Sequence, residues 1–271
     1  MPELPEVETT CRGITPHILQ QAVVKVIIRD HRLRWPVPRT LNNTLENCIV
    51  HKVTRRAKYI FIHFDHGTLI LHLGMSGRLH VIDKDTPVLK HDHVDIVFNN
   101  GQCLRFHDPR RFGSIHWTKT DPALHKLIKN LGVEPLSDAF TGEYLWQQSR
   151  KRKISVKQFI MDSHIVVGVG NIYASESLFL TGIHPTRAAG NISQQRYVLL
   201  VSAIKKVLTA AIKQGGTTLR DFTQSDGQPG YFKQKLNVYG RADERCNQCG
   251  ASIKQIVQGQ RATYYCGKCQ R

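Results

Sequence analysis

A chain of 271 residues, 41% hydrophobic and 22% charged, is long enough for two cores and has an ordinary globular composition, which excludes a low-complexity or disordered class. Its 38 Lys and Arg stand against 21 Asp and Glu, and a net charge of +17 points to a polyanionic partner, nucleic acid before a membrane surface. No apolar run approaches a spanning helix and the start lacks the basic and apolar regions of a signal peptide, so the expected location is the cytoplasm, with nucleoid association when bound to DNA.

The chain opens MPELPEVET. Chain ends are ordinarily frayed. Loss of Met1 would nevertheless give Pro2 a free secondary amine, a nucleophile that forms a cationic iminium with an electrophilic carbon. Glu3 beside it is a ready proton donor or acceptor. Val7, Cys11, Ile14, Ile18 and Leu19 recur at helical intervals and predict one helix over residues 5–20. From about 23 to 117, short runs such as YIFIHF and HVDIVF, parted by turns such as DHG and NNG, predict an antiparallel sandwich or barrel.

Past LGVEPL the pattern becomes helical, at roughly 141–149, 155–163, 171–182 and 193–213, so a β part gives way to an α part near 131–137. The polar run QGGTTLRDFTQSDGQPGYF reads as a mobile or binding loop.

Cys246 and Cys249 form one CxxC and Cys266 and Cys269 another, at the spacing of a four-cysteine zinc site. Four thiolates leave the metal no open position, so the ion would be structural. The lone Cys11, Cys48 and Cys103, and the lack of a signal peptide, count against disulfides. Between the knuckles, ASIKQIVQGQRATYY predicts a β-hairpin with Arg261 at its tip, solvated or placed for a nucleic-acid groove.

Arg55, Arg56 and Lys58 precede a strand, either as a solvated edge or as phosphate ligands, with Lys58 also a candidate proton carrier. Met75 in HLGMSGRLH and Arg110, Arg111 and Phe112 in DPRRFG sit at glycine-flanked turns. Taken singly, Met75 and Phe112 are core residues more often than tools, but apolar loop tips beside arginine suit wedging open a base stack. GVGNIYASE carries a turn into a helix with Asn171 as its expected N-cap, a natural phosphate site, and the basic run 150–153 is phosphate-binding or solvated.

From PELPEVET through RRAKY, HLGMSG, KHDHVD, DPRRFG, VVGVGNIYASE, QGGTTLRDF, SDGQPGYF and VYGR to QRATYYCGKCQ, the whole chain resembles bacterial formamidopyrimidine-DNA glycosylase, also called 8-oxoguanine DNA glycosylase. The resemblance implies an α+β fold of two domains: an N-terminal β-sandwich with flanking helices, and a C-terminal helix-two-turns-helix domain carrying a four-cysteine zinc finger. It sets the catalytic domain at 2–131, the helical domain at 137–224, and the end of a lesion loop with the zinc finger at 225–271.

The implied protein is a monomeric, bifunctional repair enzyme acting on damaged double-stranded DNA, without membrane or nucleotide cofactor. It would remove oxidised purines, 8-oxoguanine and formamidopyrimidines, and cleave the abasic site by β,δ-elimination.

Carried over by position, Pro2 is the Schiff-base nucleophile on the deoxyribose C1′, Glu3 its acid/base partner, Lys58 the proton carrier of β-elimination, and Arg261 the residue of δ-elimination. Arginine hardly ever deprotonates, so Arg261 is expected to grip phosphate instead. His91, Arg152 and Asn171 match phosphate ligands, with Lys58 and Arg261. Met75, Arg110 and Phe112 match the trio that enters the duplex, and 217–232 the loop that closes over the extruded base. Arg152 and Arg220 stand where relatives often carry lysine, which keeps the charge but changes the geometry of a phosphate contact. The sister endonuclease VIII type typically opens PEGPE, so Leu4 favours the purine enzyme. A non-catalytic zinc-ribbon relative would be expected to lose Pro2, Glu3 or Lys58, and all three are present.

Overall fold

A computed structural model describes residues 2–215 and 236–271. The chain divides into two compact units, one built from the sequence up to Lys129 and the other from Asn130–Lys213 together with the C-terminal residues.

In the first unit, α1 (Leu4–Ile18) buries Leu4, Val7, Cys11, Ile14 and Ile18, the i, i+3, i+4 stripe of an amphipathic helix. Pro5 sits in its first turn, where a missing N–H costs nothing. Eight strands follow: β1 (Val23–Ile28), β2 (Lys52–Arg56), β3 (Tyr59–Phe64), β4 (Gly67–His72), β5 (Arg78–Asp83), β6 (Asp92–Phe98), β7 (Gln102–His107) and β8 (Ser114–Thr118). A short helix the sequence did not announce, α2 (Leu41–Leu45), lies between β1 and β2.

The strands form two antiparallel sheets, ordered β1-β6-β7-β5 and β2-β3-β4-β8. Alternate residues of both enter one apolar cluster, Val94, Ile96, Leu104 and Phe106 from the first and Ile60, Ile62, Leu69 and Leu71 from the second, and α1 packs Val7, Cys11 and Ile14 into the same cluster. The expected sandwich is therefore present, its core built from the alternate residues that each sheet turns toward the other. The chain crosses from one sheet to the other three times, after β1 through residues 29–51, after β4 through 73–77 and after β7 through 108–113, and the last two crossovers run side by side.

The second unit holds α3 (Gly142–Ser149), α4 (Val156–Ile160), α5 (Asn171–Leu180) and α6 (Gln194–Lys213), with the hairpin β9 (Ile253–Gln258) and β10 (Arg261–Cys266). Thr141 and Ser155 cap α3 and α4, each accepting a backbone N–H of its first turn. Helix α6 packs against α3 and α5, and α5 also packs against β10. No helix among the described residues is long and apolar enough to cross a membrane.

Candidate active site and nucleic-acid interface

In the first unit, Pro2 is buried and Glu3 only 2% exposed, both at the head of α1. The Glu3 N–H donates to Oε2 of Glu6 at 2.8 Å, which fixes the backbone carrying Pro2 and sets an acidic group against the positive end of the helix. One turn further on, Glu8 accepts from Arg55 Nε at 2.9 Å and from Arg12 Nε at 2.9 Å. Burial pushes the Glu8 carboxyl up, but these two guanidinium bonds outweigh it and hold the group below its usual range.

Arg55 also donates from Nη1 to the carbonyl of Ala57 at 2.8 Å. Ala57 and Lys58 form the two-residue turn between β2 and β3, where Arg56 pairs with Tyr59. Ala57 has φ +55°, a left-handed conformation costing an alanine about 1 kcal/mol. Arg55 thus holds the strained peptide that presents Lys58 and ties it to α1. Arg55 is neither a solvated edge residue nor exposed for a phosphate, because the half-buried Glu8 engages it, a partner 47 residues away that local sequence does not reveal.

His72, last residue of β4, is oriented by the N–H of Gly74, which donates to Nδ1 at 3.0 Å. That nitrogen must be unprotonated, so the neutral ring carries its proton on Nε2. Burial, then the charges of Lys58 and Arg34, pull the His72 pKa down to about 4, and burial first of all does the same for His80 and His116. These rings bind a proton more readily in the unfolded chain, so unit 1 is expected to lose stability as pH falls from about 6.5 through 4. Thermal melts across that window check this, and His72→Gln should make the slope shallower.

Met75 is 38% exposed and Phe112 41%, and the Arg110 guanidinium lies 5.1 Å from the Phe112 ring centre. Gly74, at φ +66°, approaches so closely that a Cβ there would lie 2.3 Å from the Phe112 carbonyl carbon. The two crossover loops therefore touch backbone to backbone. His91, just before β6, has φ +79°, another left-handed position at a candidate phosphate ligand.

In the second unit, Asn171 is the first residue of α5 and Gly170 its N-cap, which corrects the expected cap. The Asn171 side chain is engaged elsewhere: Oδ1 accepts from Lys157 Nζ at 2.6 Å and Nδ2 donates to the Ala262 carbonyl at 2.9 Å. Lys157, a buried ammonium not anticipated from the sequence, also donates to Thr263 Oγ1 at 2.6 Å and to the Ala262 carbonyl at 3.2 Å. Buried lysines are rare unless satisfied, and here three oxygens satisfy it. The result fixes β10 to α4 and α5 one residue from Arg261.

The hairpin turn Gly259–Gln260 has φ +52° and +61°, and a Cβ on Gly259 would meet Nε2 of Gln158 at 2.8 Å. A recess of about 170 Å³ is lined by Lys157, Gln158, Met161, Gln258, Gly259 and Arg261. Arg152 is steadied by its Nε donating to the Gln148 carbonyl at 2.8 Å and by the Phe159 ring 5.7 Å from its guanidinium carbon.

Buried Glu176 of α5, also missed in the sequence, accepts from the backbone N–H groups of Asn237, Val238 and Tyr239 at 2.8, 2.9 and 3.0 Å. The segment leading to the cysteines is thereby anchored to α5. The loop 217–232, including Arg220, lies outside the described residues.

The sulfurs of Cys246, Cys249, Cys266 and Cys269 all lie within 4.8 Å of one another, with Cys246 to Cys269 at 3.9 Å and Cys249 to Cys266 at 3.5 Å. Four sulfurs about 2.3 Å from a tetrahedral zinc stand about 3.8 Å apart, so the cluster fits that ion, and these separations exclude disulfides. The Gln248 N–H donates to Cys246 Sγ at 3.4 Å, the kind of bond that steadies a metal-bound thiolate. The cluster holds one structural Zn2+.

Three family models match in chain order: the formamidopyrimidine-DNA glycosylase N-terminal domain over residues 1–115, the formamidopyrimidine-DNA glycosylase H2TH domain over 131–223, and the zinc finger found in FPG and IleRS over 243–271. The formamidopyrimidine-DNA glycosylase of Alcanivorax borkumensis is 58% identical over all of both chains, and that of Hydrogenovibrio crunogenus 55% identical over all of this chain and 97% of its own.

Among solved structures, Lactococcus lactis Fpg bound to DNA containing an abasic site superposes with a TM-score of 0.92 at 32% identity, covering 99% of each chain. The MutM (Fpg) protein of Thermus thermophilus superposes with a TM-score of 0.88 at 34% identity, covering 99% of this chain and 98% of that one. With a sandwich headed by a buried Pro2–Glu3 pair, a helical unit braced on its hairpin and four convergent cysteines, matched end to end by these relatives, the chain belongs to the formamidopyrimidine-DNA glycosylase family.

Proposed function

We propose that the protein excises oxidised purines, 8-oxoguanine and formamidopyrimidines, from duplex DNA and then cleaves the resulting abasic site. The observation that carries this is the Pro2–Glu3 pair, buried at the head of α1, with the Lys58 turn tied to the same helix through Glu8 and Arg55. The Lactococcus lactis complexes with abasic-site DNA and with N7-benzyl-Fapy-dG DNA support the choice of substrate. The working parts are assigned to residues 2–131 for catalysis, 137–224 for the helical DNA-binding domain, and 225–271 for the loop end and zinc finger. The relatives are bacterial, and the assigned place of action is the cytoplasm.

The amine of Pro2, freed by removal of Met1, attacks C1′ of the damaged nucleotide. The N–C1′ bond forms, the glycosidic bond breaks, and the base leaves with a proton. Glu3 protonates the ring oxygen as the sugar opens to the iminium, an electron sink. Lys58 carries the C2′ proton away as the C3′–O bond breaks, and a second elimination breaks C5′–O. Water then hydrolyses the iminium and returns the amine. Arg261, always charged, neutralises a departing phosphate.

Phosphates are assigned to His91, Lys58, Arg152, Asn171 and Arg261, with Met75, Arg110 and Phe112 entering the duplex. The slope of log affinity against log salt should become shallower by about 0.9 when Lys58→Gln or Arg152→Gln removes one phosphate contact. An unchanged slope removes that residue from the assignment. A panel of duplexes with different single lesions, scored separately for base release and strand cleavage, tests the whole assignment. Release without cleavage would discard the lyase half, and no release from any purine lesion would discard both.

A further inference from the structure

The crossover loops bearing Met75 and Arg110–Phe112 belong to different stretches of chain, and one buried carboxylate joins them. Asp108 is 0% exposed. Its Oδ1 accepts from the Ser76 hydroxyl at 2.7 Å and from the Arg110 N–H at 3.3 Å, and its Oδ2 accepts from the Gly113 N–H at 2.8 Å. Its own N–H donates to the His91 carbonyl at 3.0 Å, and its carbonyl accepts from Nε2 of the buried His93 at 2.8 Å. Two other stretches, around Ser76 and His91–His93, thus converge with residues 110–113 of its own loop on one residue.

We infer that Asp108 is a positioning residue that locks the two loops into a single rigid wedge for base extrusion, with Ser76 as its link to the Met75 loop. The inference rests on the function proposed above. A carboxylate is suited to the task because it only accepts, and all three groups turned toward its oxygens can donate. Asparagine keeps the shape but replaces one acceptor by an NH2 donor, so either Gly113 loses its acceptor or the Ser76 hydroxyl and the Arg110 N–H lose theirs on Oδ1, leaving the Arg110 N–H only its 3.3 Å bond to Ser76 Oγ. Ser76→Ala removes both bonds of the Ser76 hydroxyl to the second loop, the one donated to Asp108 and the one accepted from the Arg110 N–H at 3.3 Å, and leaves the bonds of Asp108 to its own loop in place.

A wedge that is not rigid loses its grip while the base leaves the stack, not during the covalent steps that follow. Variants of Ser76 and Asp108 should therefore fail where extrusion is difficult and succeed where it is easy.

The test compares the full-length, zinc-loaded protein with its S76A and D108N variants on two substrates, an 8-oxoguanine in a fully paired duplex and the same lesion facing a one-nucleotide gap. Single-turnover base release is read on both, and 2-aminopurine fluorescence next to the lesion reports unstacking in the paired duplex. S76A should slow unstacking and release about tenfold on the paired duplex, the worth of one charge-assisted bond, while release opposite the gap stays within about twofold. D108N should do the same more strongly, and S76A decides the matter if D108N does not fold.

Equal losses on both substrates, or none on either with an active wild type, would overturn the inference and leave the proposed function standing. A wild type that releases no base from either would overturn both.

Discussion

Retention of one residue ahead of Pro2 should abolish borohydride trapping of this protein on damaged duplex DNA. An amide nitrogen has given its lone pair to the carbonyl and cannot attack C1′, so no iminium forms for the hydride to reduce. The rate of covalent capture should fall by about three orders of magnitude or more, as losses of a nucleophile do, while zinc content and DNA affinity stay close to those of the mature chain. Pro2→Gly offers a primary amine without the pyrrolidine ring and is expected to trap no better. Capture by mass spectrometry on a peptide other than the N-terminal one would refute the Pro2 assignment. Glu3 lies within the same buried turn, so Glu3→Gln should leave binding intact while base release is lost, read as free base per enzyme in a single turnover.

Removing the zinc should have the second large effect. The four cysteines belong to a small apolar cluster with Phe179, Val238 and Ile253, too few side chains to hold a hairpin alone, so the metal's binding energy is largely folding energy for this module. Chelation, or Cys246→Ser, should release β9 and β10 from α4 and α5 and break the bonds from Lys157 and Asn171 to Ala262 and Thr263. DNA affinity should then fall by about a hundredfold, the worth of one or two charged phosphate contacts, and the Lys157 site should become exposed. Binding titrations and hydrogen exchange over 254–266 read both effects. The core of the first unit is separate, so its thermal transition should survive chelation. A chelated protein that keeps its affinity would contradict the role given to the hairpin.

Much of this protein was legible before any coordinates. The CxxC pairs announced a metal because thiolate spacing is a local property, and the Cys249 and Cys266 sulfurs do converge, to 3.5 Å. The N-terminal helix was visible through its apolar stripe, and the sandwich through short alternating or apolar runs parted by turn signals. Glycine-flanked Met75 and Phe112 were legible as loop tips, since turn chemistry is written into a few adjacent residues.

What escaped was the chemistry of partners far apart in the chain. Arg55 could have been a solvated edge or a phosphate ligand until Glu8 was found beside it. Lys157 sits in a short helix like any surface lysine until α5 and β10 close over it. Asn171 has the composition of a cap, but its amide was recruited by a strand 91 residues away, and the cap fell to Gly170.

The sequence by itself determined most of the elements and the metal site, because propensity and thiolate spacing act over a few residues, and it put forward the N-terminal amine on which the proposed mechanism rests. Only the tertiary structure decided which charges are buried or half-buried and by what they are satisfied: half-buried Glu8 by Arg55, buried Lys157 by three oxygens, and buried Asp108 by Ser76 and two backbone amides. Burial of a charge is tolerated only where its partners converge, and convergence is a property of the packed chain.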